Sequence, residues 1–319
     1  MSTAPGGEPA RTGTGRAHGK AILLGEHSVL YGTPAIALPL TALSLTARLA
    51  AQPAGELTLA SDLYTGPAAQ APARIAPVVA AVEAACAQAG RAPRGLALTI
   101  DSEIPFERGL GSSAAVGAAI ARAVADLTGA DFDAEAVQRV IMAAETIAHG
   151  RSSGLDGRTV AAAGPILLRE GAVAEVPVGR PLTLVIADSG RPGATSQTVA
   201  AVRALREADP ARADAVIARL GAIVEASLEP FGDGRAGELG ALMDEAHKLL
   251  RELRVSDAVL DRLVAAARAA GAAGAKLTGG GRGGCVLALA HGADDAAELR
   301  RALAAAGAER TWQTTVAAA

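Results

Sequence analysis

The chain has 319 residues, half of them hydrophobic, with 30 Lys and Arg against 33 Asp and Glu and a net charge of −3. That length and apolar share allow two packed domains. An aromatic share of 2% excludes a base-stacking surface for single-stranded nucleic acid, and the scattered basic residues lack the electrostatic footprint of a polyanion binder. The two cysteines, Cys86 and Cys285, have no metal-ligand spacing. A reduced, cytoplasmic chain is the expectation, with one disulfide as the alternative. Residues 1–16 are rich in Gly, Pro, Thr and Ala without an apolar core, so they read as a loose tail rather than a signal peptide. No uncharged, glycine-free apolar run is long enough to predict a membrane span.

After the tail, Ala21 to Leu24 reads as a buried strand ended by Gly25. Alternation over Leu43 to Leu49 and Leu57 to Leu59 predicts a strand pair joined by a turn at Pro53 to Gly55. A helix is expected over Arg74 to Ala89, a strand over Leu96 to Ile100, and a small-residue helix over Ala114 to Leu127. Asp133 is a suitable N-cap for a helix running to about Ala148 and ending at Gly150. Strands follow near Pro165 to Leu168 and Leu182 to Ala187. Helices are then expected over Ser196 to Ala208, Ala211 to Leu228, Ala236 to Leu253 and Ser256 to Ala270. Ala275 to Leu289 reads as strand, glycine loop, strand, before a helix near Asp294 to Ala305 and a strand near Thr311 to Val316. The pattern is α+β rather than doubly wound. The domain boundary is expected between Gly179 and Gly193, giving domains over 17–185 and 186–319.

Five segments carry chemistry. Pro105-Phe-Glu-Arg-Gly-Leu-Gly-Ser-Ser-Ala-Ala115 reads as a glycine loop feeding a helix N-terminus. Gly109 and Gly111 permit a tight turn, and Ser112 and Ser113 stand where free N–H groups favour an anion, above all phosphate. Lys20 begins an apolar strand, and Glu26 and His27 lie just past its end. Glu145 borders the apolar face of its helix, so it needs a cation or donor, and Mg²⁺ suits it. Asp156, in the Ser/Gly-rich stretch Gly150-Arg-Ser-Ser-Gly-Leu-Asp-Gly157, is read as a loop carboxylate able to take a hydroxyl proton. Gly279 to Gly284, interrupted by Arg282, has an entropic cost that suits close approach of backbone to another group. Singly, these also read as a capped helix, a solvated lysine, an edge glutamate, a turn aspartate and a ligand-free turn. Neither glycine loop fits the usual P-loop or the dinucleotide fingerprint, and there is no zinc cluster or hydrolase elbow.

Together these segments resemble the GHMP kinase superfamily, in the family's order and over nearly the whole chain after the tail. Within it, Gly19-Lys-Ala-Ile-Leu-Leu-Gly-Glu-His-Ser-Val-Leu-Tyr-Gly32, Glu145-Thr-Ile-Ala-His-Gly-Arg-Ser-Ser-Gly-Leu-Asp156, Met243-Asp-Glu-Ala-His-Lys-Leu-Leu250 and Lys276-Leu-Thr-Gly-Gly-Gly-Arg-Gly-Gly-Cys285 are most similar to the mevalonate-phosphorylating branch. The resemblance implies an N-terminal domain like the second domain of ribosomal protein S5 and a ferredoxin-like C-terminal domain. It implies ATP-dependent phosphorylation of the C5 hydroxyl of mevalonate in isoprenoid biosynthesis, with no nucleic-acid or membrane partner, and it admits a homodimer. By resemblance, Gly109, Leu110, Gly111, Ser112 and Ser113 cradle the ATP phosphates, and Ser113 and Glu145 ligate Mg²⁺. Asp156 is the general base and Lys20 stabilises the alkoxide and phosphoryl group. Glu26, His27, Thr195 and Gly280 are expected on the substrate side with Lys20 and Asp156. The chain departs from the family at His18, Gly157, Ala246 and Arg282. A kinase for phosphomevalonate or for the 3-hydroxyl of mevalonate, and a non-catalytic nucleotide or metabolite sensor, are the alternatives.

Overall fold

The computed structural model describes residues 11–52, 55–149 and 155–318. Its elements run β1 (Thr12–Leu24), β2 (Ala35–Ala51), β3 (Thr58–Ser61), β4 (Tyr64–Pro67), α1 (Ala76–Gln88), β5 (Leu96–Ser102), α2 (Ser112–Thr128), α3 (Ala134–His149) and α4 (Leu155–Ala161). They continue with β6 (Ile166–Arg169), β7 (Ala172–Glu175), β8 (Leu182–Asp188), α5 (Thr195–Ala208), α6 (Pro210–Gly232), α7 (Ala236–Glu252) and α8 (Ala258–Ala269). Last come β9 (Gly274–Thr278), β10 (Cys285–Leu289), α9 (Ala296–Ala305) and β11 (Arg310–Val316). The α+β class expected from the sequence holds. β4, β7 and α4 were not legible in it. Cys86 and Cys285 are both free and buried, and no helix among the described residues is long and apolar enough to cross a membrane.

The chain divides into two compact units. The first combines residues 11–17 with β3, β4, α1, β5, α3, the later part of β2 and all of α2 after Ser112. Here the expected β2–β3 pair is not formed. β5 lies between them, antiparallel to β2 (Leu45 opposite Ser102 through Ala51 opposite Leu96) and parallel to β3 (Thr58 opposite Ala97). The end of β2 is committed to the residues before β5: Gln52 N–H donates to Gly95 O at 2.8 Å, and Gly95 N–H donates to Gly55 O. Pro53 and Ala54, on which the expected turn rests, lie outside the described residues. α1 packs on α3. α2 is buried on most faces because alanine and glycine let its neighbours approach closely. Asp133 caps α3, accepting from Ala136 N–H at 2.7 Å.

The tail reading is corrected at its end. β1 begins at Thr12, and its first residues alternate exposed and buried. The buried positions are Gly13, Gly15 and Ala17, so the alternation is invisible to hydropathy. A Cβ at Gly15 would lie 1.9 Å from Ala119 O; close approach to α2, rather than loop freedom, requires the glycine. Residues 1–10 lie outside the described set.

The second unit holds residues 18–43, 104–112 and those from α4 onward. Its four-stranded sheet has the order β11-β8-β10-β9, all antiparallel. β8, β9 and β10 are buried along their length, including the polar side chains of Thr183, Asp188, Lys276 and Thr278. α7 and α8 lie on β9, and α9 on β8 and β11. β8 runs through position 185 and pairs wholly with β10 and β11, so the expected 185/186 boundary falls inside a strand. In the same unit the start of β2 pairs with β6, and β6 with β7. Ile22, Ala35, Leu155 and Ile166 form a core there that fixes the end of β1 against α4.

Candidate active site

Lys20 sits in the buried half of β1 and is 2% exposed. An ammonium so far from water needs an opposite charge, and the Asp156 carboxylate supplies it, Nζ to Oδ1 2.9 Å. Asp156 is not in a loop: it stands in the first turn of α4. The Gly150 to Gly154 stretch of the predicted loop lies outside the described residues. The Lys20 N–H donates to Leu110 O at 2.9 Å, which ties the glycine loop to the strand. Gly111 has φ +75, and a Cβ there would lie 2.7 Å from Lys20 Cγ. The glycine is thus required both by its backbone and by the lysine stem lying against it.

Glu26 and His27 are buried just past β1. Glu26 Oε1 is ion-paired with Lys276 of β9, whose Nζ also donates to Leu277 O at 2.7 Å. Burial pushes Glu26 up and Lys276 down from their ordinary values, and each opposes the other's shift. His27 adopts a left-handed φ of 60. Its Nε2 lies 2.9 Å from Gly280 O, so Nε2–H is the donor and Nδ1 is left as an acceptor. Burial lowers the imidazole's pKa and keeps it neutral. Glu26 Oε2 and His27 Nδ1 are buried with no hydrogen-bond partner. Two such acceptors, adjacent in sequence, are what a site offers to hydroxyl donors of a ligand.

The third glycine run lies against the first. A Cβ on Gly279 would be 3.1 Å from Gly109 Cα, and one on Gly280 2.3 Å from Thr195 Oγ1 at the start of α5. The Thr278 hydroxyl exchanges hydrogen bonds with Ile22 N–H and C=O, both 3.0 Å, fixing β9 on β1. Arg108 anchors the loop from its other end, with Nε 2.9 Å from Oδ1 of the fully buried Asp188. The structure therefore brings together Lys20, Glu26, His27, Gly109, Leu110, Gly111, Asp156, Thr195 and Gly280.

Ser112 opens α2, and Ser113 and Glu145 belong to the first unit. Gly117 of α2 touches Ile141 of α3: a Cβ there would be 3.0 Å from Ile141 Cα. The short connection between the helices makes them antiparallel. Ser113, one turn before Gly117, and Glu145, one turn after Ile141, thus fall at the same end of the pair. Glu145 is 3% exposed, and the Ser113 hydroxyl is buried without a partner. This donor set fits Mg²⁺, which takes one or two protein oxygens and completes its shell with water and substrate phosphates. Among the described residues no group of three or more His, Cys, Asp or Glu could hold a metal by itself.

Neither Lys276 nor His247, although both lie in segments compared above, was assigned a role in the site from the sequence. The signal for Lys276 was present: a lysine inside an apolar strand demands a buried partner. His247 of α7 accepts from Leu277 N–H at Nδ1 (3.4 Å) and faces Asp261 at Nε2 (3.2 Å). Burial holds its pKa at about 4, so it is neutral and can accept.

Residues 76–164 match the model for the GHMP kinases N-terminal domain, and residues 222–309 the GHMP kinases C-terminal model. The mevalonate kinase of Thermococcus gammatolerans is 34% identical over 90% of this chain and 91% of its own length. That of Pyrococcus horikoshii is 35% identical over 86% of this chain and 87% of its own. The crystal structure of L. major mevalonate kinase in complex with R-mevalonate superposes with a TM-score of 0.84 at 27% identity, covering 100% of this chain and 99% of that one. The chain belongs to the GHMP kinase family, and its fold is the two-domain α+β fold of mevalonate kinases.

Proposed function

We propose that the chain transfers the γ-phosphoryl group of ATP to the C5 hydroxyl of mevalonate, giving 5-phosphomevalonate and ADP. The observation that carries this reading is the Lys20–Asp156 pair held against Gly111 of the glycine loop. Phosphoryl transfer depends on positioning and charge stabilisation more than on covalent catalysis. Asp156 takes the hydroxyl proton as the oxygen attacks phosphorus. Lys20 keeps that carboxylate oriented and stabilises the negative charge that develops beside it. The amides and hydroxyls from Gly109 to Ser113 hold the phosphates, and the free acceptors of Glu26 and His27 receive substrate hydroxyls, with Thr195 and Gly280 beside them. Ser113 and Glu145 hold Mg²⁺, which when bound neutralises phosphate charge.

Both lysines of the site are already paired with carboxylates. That disfavours a substrate bearing a phosphate of its own, and so disfavours the phosphomevalonate reading. The two family segments fall on either side of β8, in keeping with an N-terminal and a C-terminal family domain, but the expected division at 185/186 cuts that strand. A cytoplasmic setting belongs to the same reading, with a homodimer as the assembly to test by light scattering.

The deciding experiment follows ADP release from Mg-ATP with mevalonate, phosphomevalonate, galactose and homoserine offered separately. Turnover is expected with mevalonate alone, with product phosphorylated at the C5 oxygen; turnover only with another acceptor overturns the substrate assignment. For the metal, Glu145→Gln is expected to raise the Mg²⁺ concentration giving half-maximal rate by at least about tenfold. A Mg²⁺ titration superposable on wild type would remove Glu145 from that role.

A further inference from the structure

Behind the third glycine run lies an open cavity of about 640 Å³, lined by Lys248, Arg251, Glu252, Arg254, Ser256, Asp261 and Arg282. All belong to the second unit, and none is among the residues assigned above to catalysis or substrate binding. The charges there do not cancel. Asp261 is bound by Arg251, Nε to Oδ2 2.9 Å, and also receives the Ser256 hydroxyl at 2.7 Å and faces His247. Glu252 stands 4.0 Å from Arg212. Both acids of the cavity are therefore already matched to an arginine. Lys248, Arg254 and Arg282 have no carboxylate within ion-pair distance among the described residues.

Arg254 and Arg282 are also placed with unusual care for exposed arginines. Both have left-handed backbones, φ 59 and 49, a conformation that side chains with a Cβ rarely adopt. The two are laced together: Arg282 Nε donates to Arg254 O at 3.0 Å, and Arg282 N–H donates to Val255 O at 2.8 Å. Among the described residues no hydrogen bond engages the Arg282 terminal amino groups, which can serve a ligand. Arg282 directly follows Gly281, whose carbonyl accepts from Ala194 N–H, and Gly280 carries the His27 contact.

We propose that this cavity is a second anion site, taking a polyvalent oxyanion of the phosphate class on Lys248, Arg254 and Arg282. A monocarboxylate would leave two of the three cations unanswered, whereas pyrophosphate matches their number. Guanidinium groups bind such oxygens through paired hydrogen bonds. An occupant spanning Arg254 and Arg282 braces the backbone on which the third glycine run rests. The site is defined by its own residues and stands whether or not mevalonate is the substrate.

The test is a calorimetric titration of the full chain with inorganic pyrophosphate and, separately, inorganic phosphate. Free Mg²⁺ is held constant, and a non-hydrolysable ATP analogue is saturating, so that the Gly109–Ser113 cradle is filled. Pyrophosphate is expected to bind under these conditions, more tightly than phosphate. The Lys248→Ala/Arg254→Asn double variant, asparagine being tolerant of the left-handed backbone, should weaken it at least about tenfold for each cation removed. Lys248→Glu alone, a surface change that spares the backbone, should weaken it by at least the same step. Wild-type turnover in both variants shows that the fold is intact. Binding that the ATP analogue abolishes, or that neither variant weakens, places pyrophosphate elsewhere and overturns the proposal, as does the absence of any binding.

Discussion

Replacing Asp156 with asparagine is expected to lower kcat by about 10²–10⁴-fold, the usual contribution of a positioned general base. The affinity for ATP should stay near that of wild type. Asparagine keeps the size of the side chain and still offers an oxygen to Lys20 Nζ, now 2.9 Å from Oδ1, so the α4–β1 contact is retained. What is lost is the group that can accept a proton. Steady-state turnover with mevalonate and an equilibrium titration with an ATP analogue separate the two effects. A variant that turns over within a few-fold of wild type would falsify the base assignment. It would leave Lys20, through its charge alone, as the group that activates the hydroxyl. A variant that loses ATP affinity in parallel would mean instead that the Lys20–Asp156 pair supports the glycine loop, since the Lys20 N–H and stem both touch it.

Much of this site could be read from the chain because its parts are local. A glycine run followed by two serines and an alanine-rich helix specifies a loop and a helix start within eleven residues. The long helices of the second half announced themselves by periodicity and caps, as Asp257 does in accepting from Val259 and Leu260 N–H. What escaped was non-local or disguised. β5 enters between β2 and β3 through partners 39 to 57 residues away in sequence, and two neighbouring alternating runs look like a hairpin until that competitor is known. β1 hid its first residues because its inward positions are glycine. α4 is only seven residues long and begins beside glycine and serine, so Asp156 read as a loop carboxylate although it stands in the first turn of a helix. The Glu26–Lys276 pair joins positions 250 residues apart; each half was visible, and nothing local matched them.

That pair is the basis of the second large effect. Lys276→Met is expected to destabilise the second unit by about 3–5 kcal/mol, because it leaves the Glu26 carboxylate buried without a counter-charge. Lys276 is fully buried and Glu26 1% exposed, so water cannot replace the lost partner. Denaturant unfolding followed by tryptophan fluorescence is the measurement of choice. The only tryptophan, Trp312, lies in β11 of the same sheet as Lys276 in β9, and it reports on that sheet rather than on the first unit. The Glu26→Gln/Lys276→Met double variant should recover most of the loss. Burial already pushes Glu26 up and Lys276 down against their mutual attraction, which marks the pair as expensive to keep, and uncharged replacements of buried pairs are often neutral or stabilising. Yet the double variant should remain poorly active, since Glu26 Oε2, buried without a hydrogen-bond partner, is proposed above to receive a substrate hydroxyl. Recovered stability without recovered turnover means the ion pair is retained to hold Glu26 in place rather than to hold the sheet together. If Lys276→Met unfolds at the wild-type midpoint, Glu26 has taken up a proton in the variant. A repeat of the unfolding at higher pH, where that proton becomes harder to hold, should then expose the missing destabilisation.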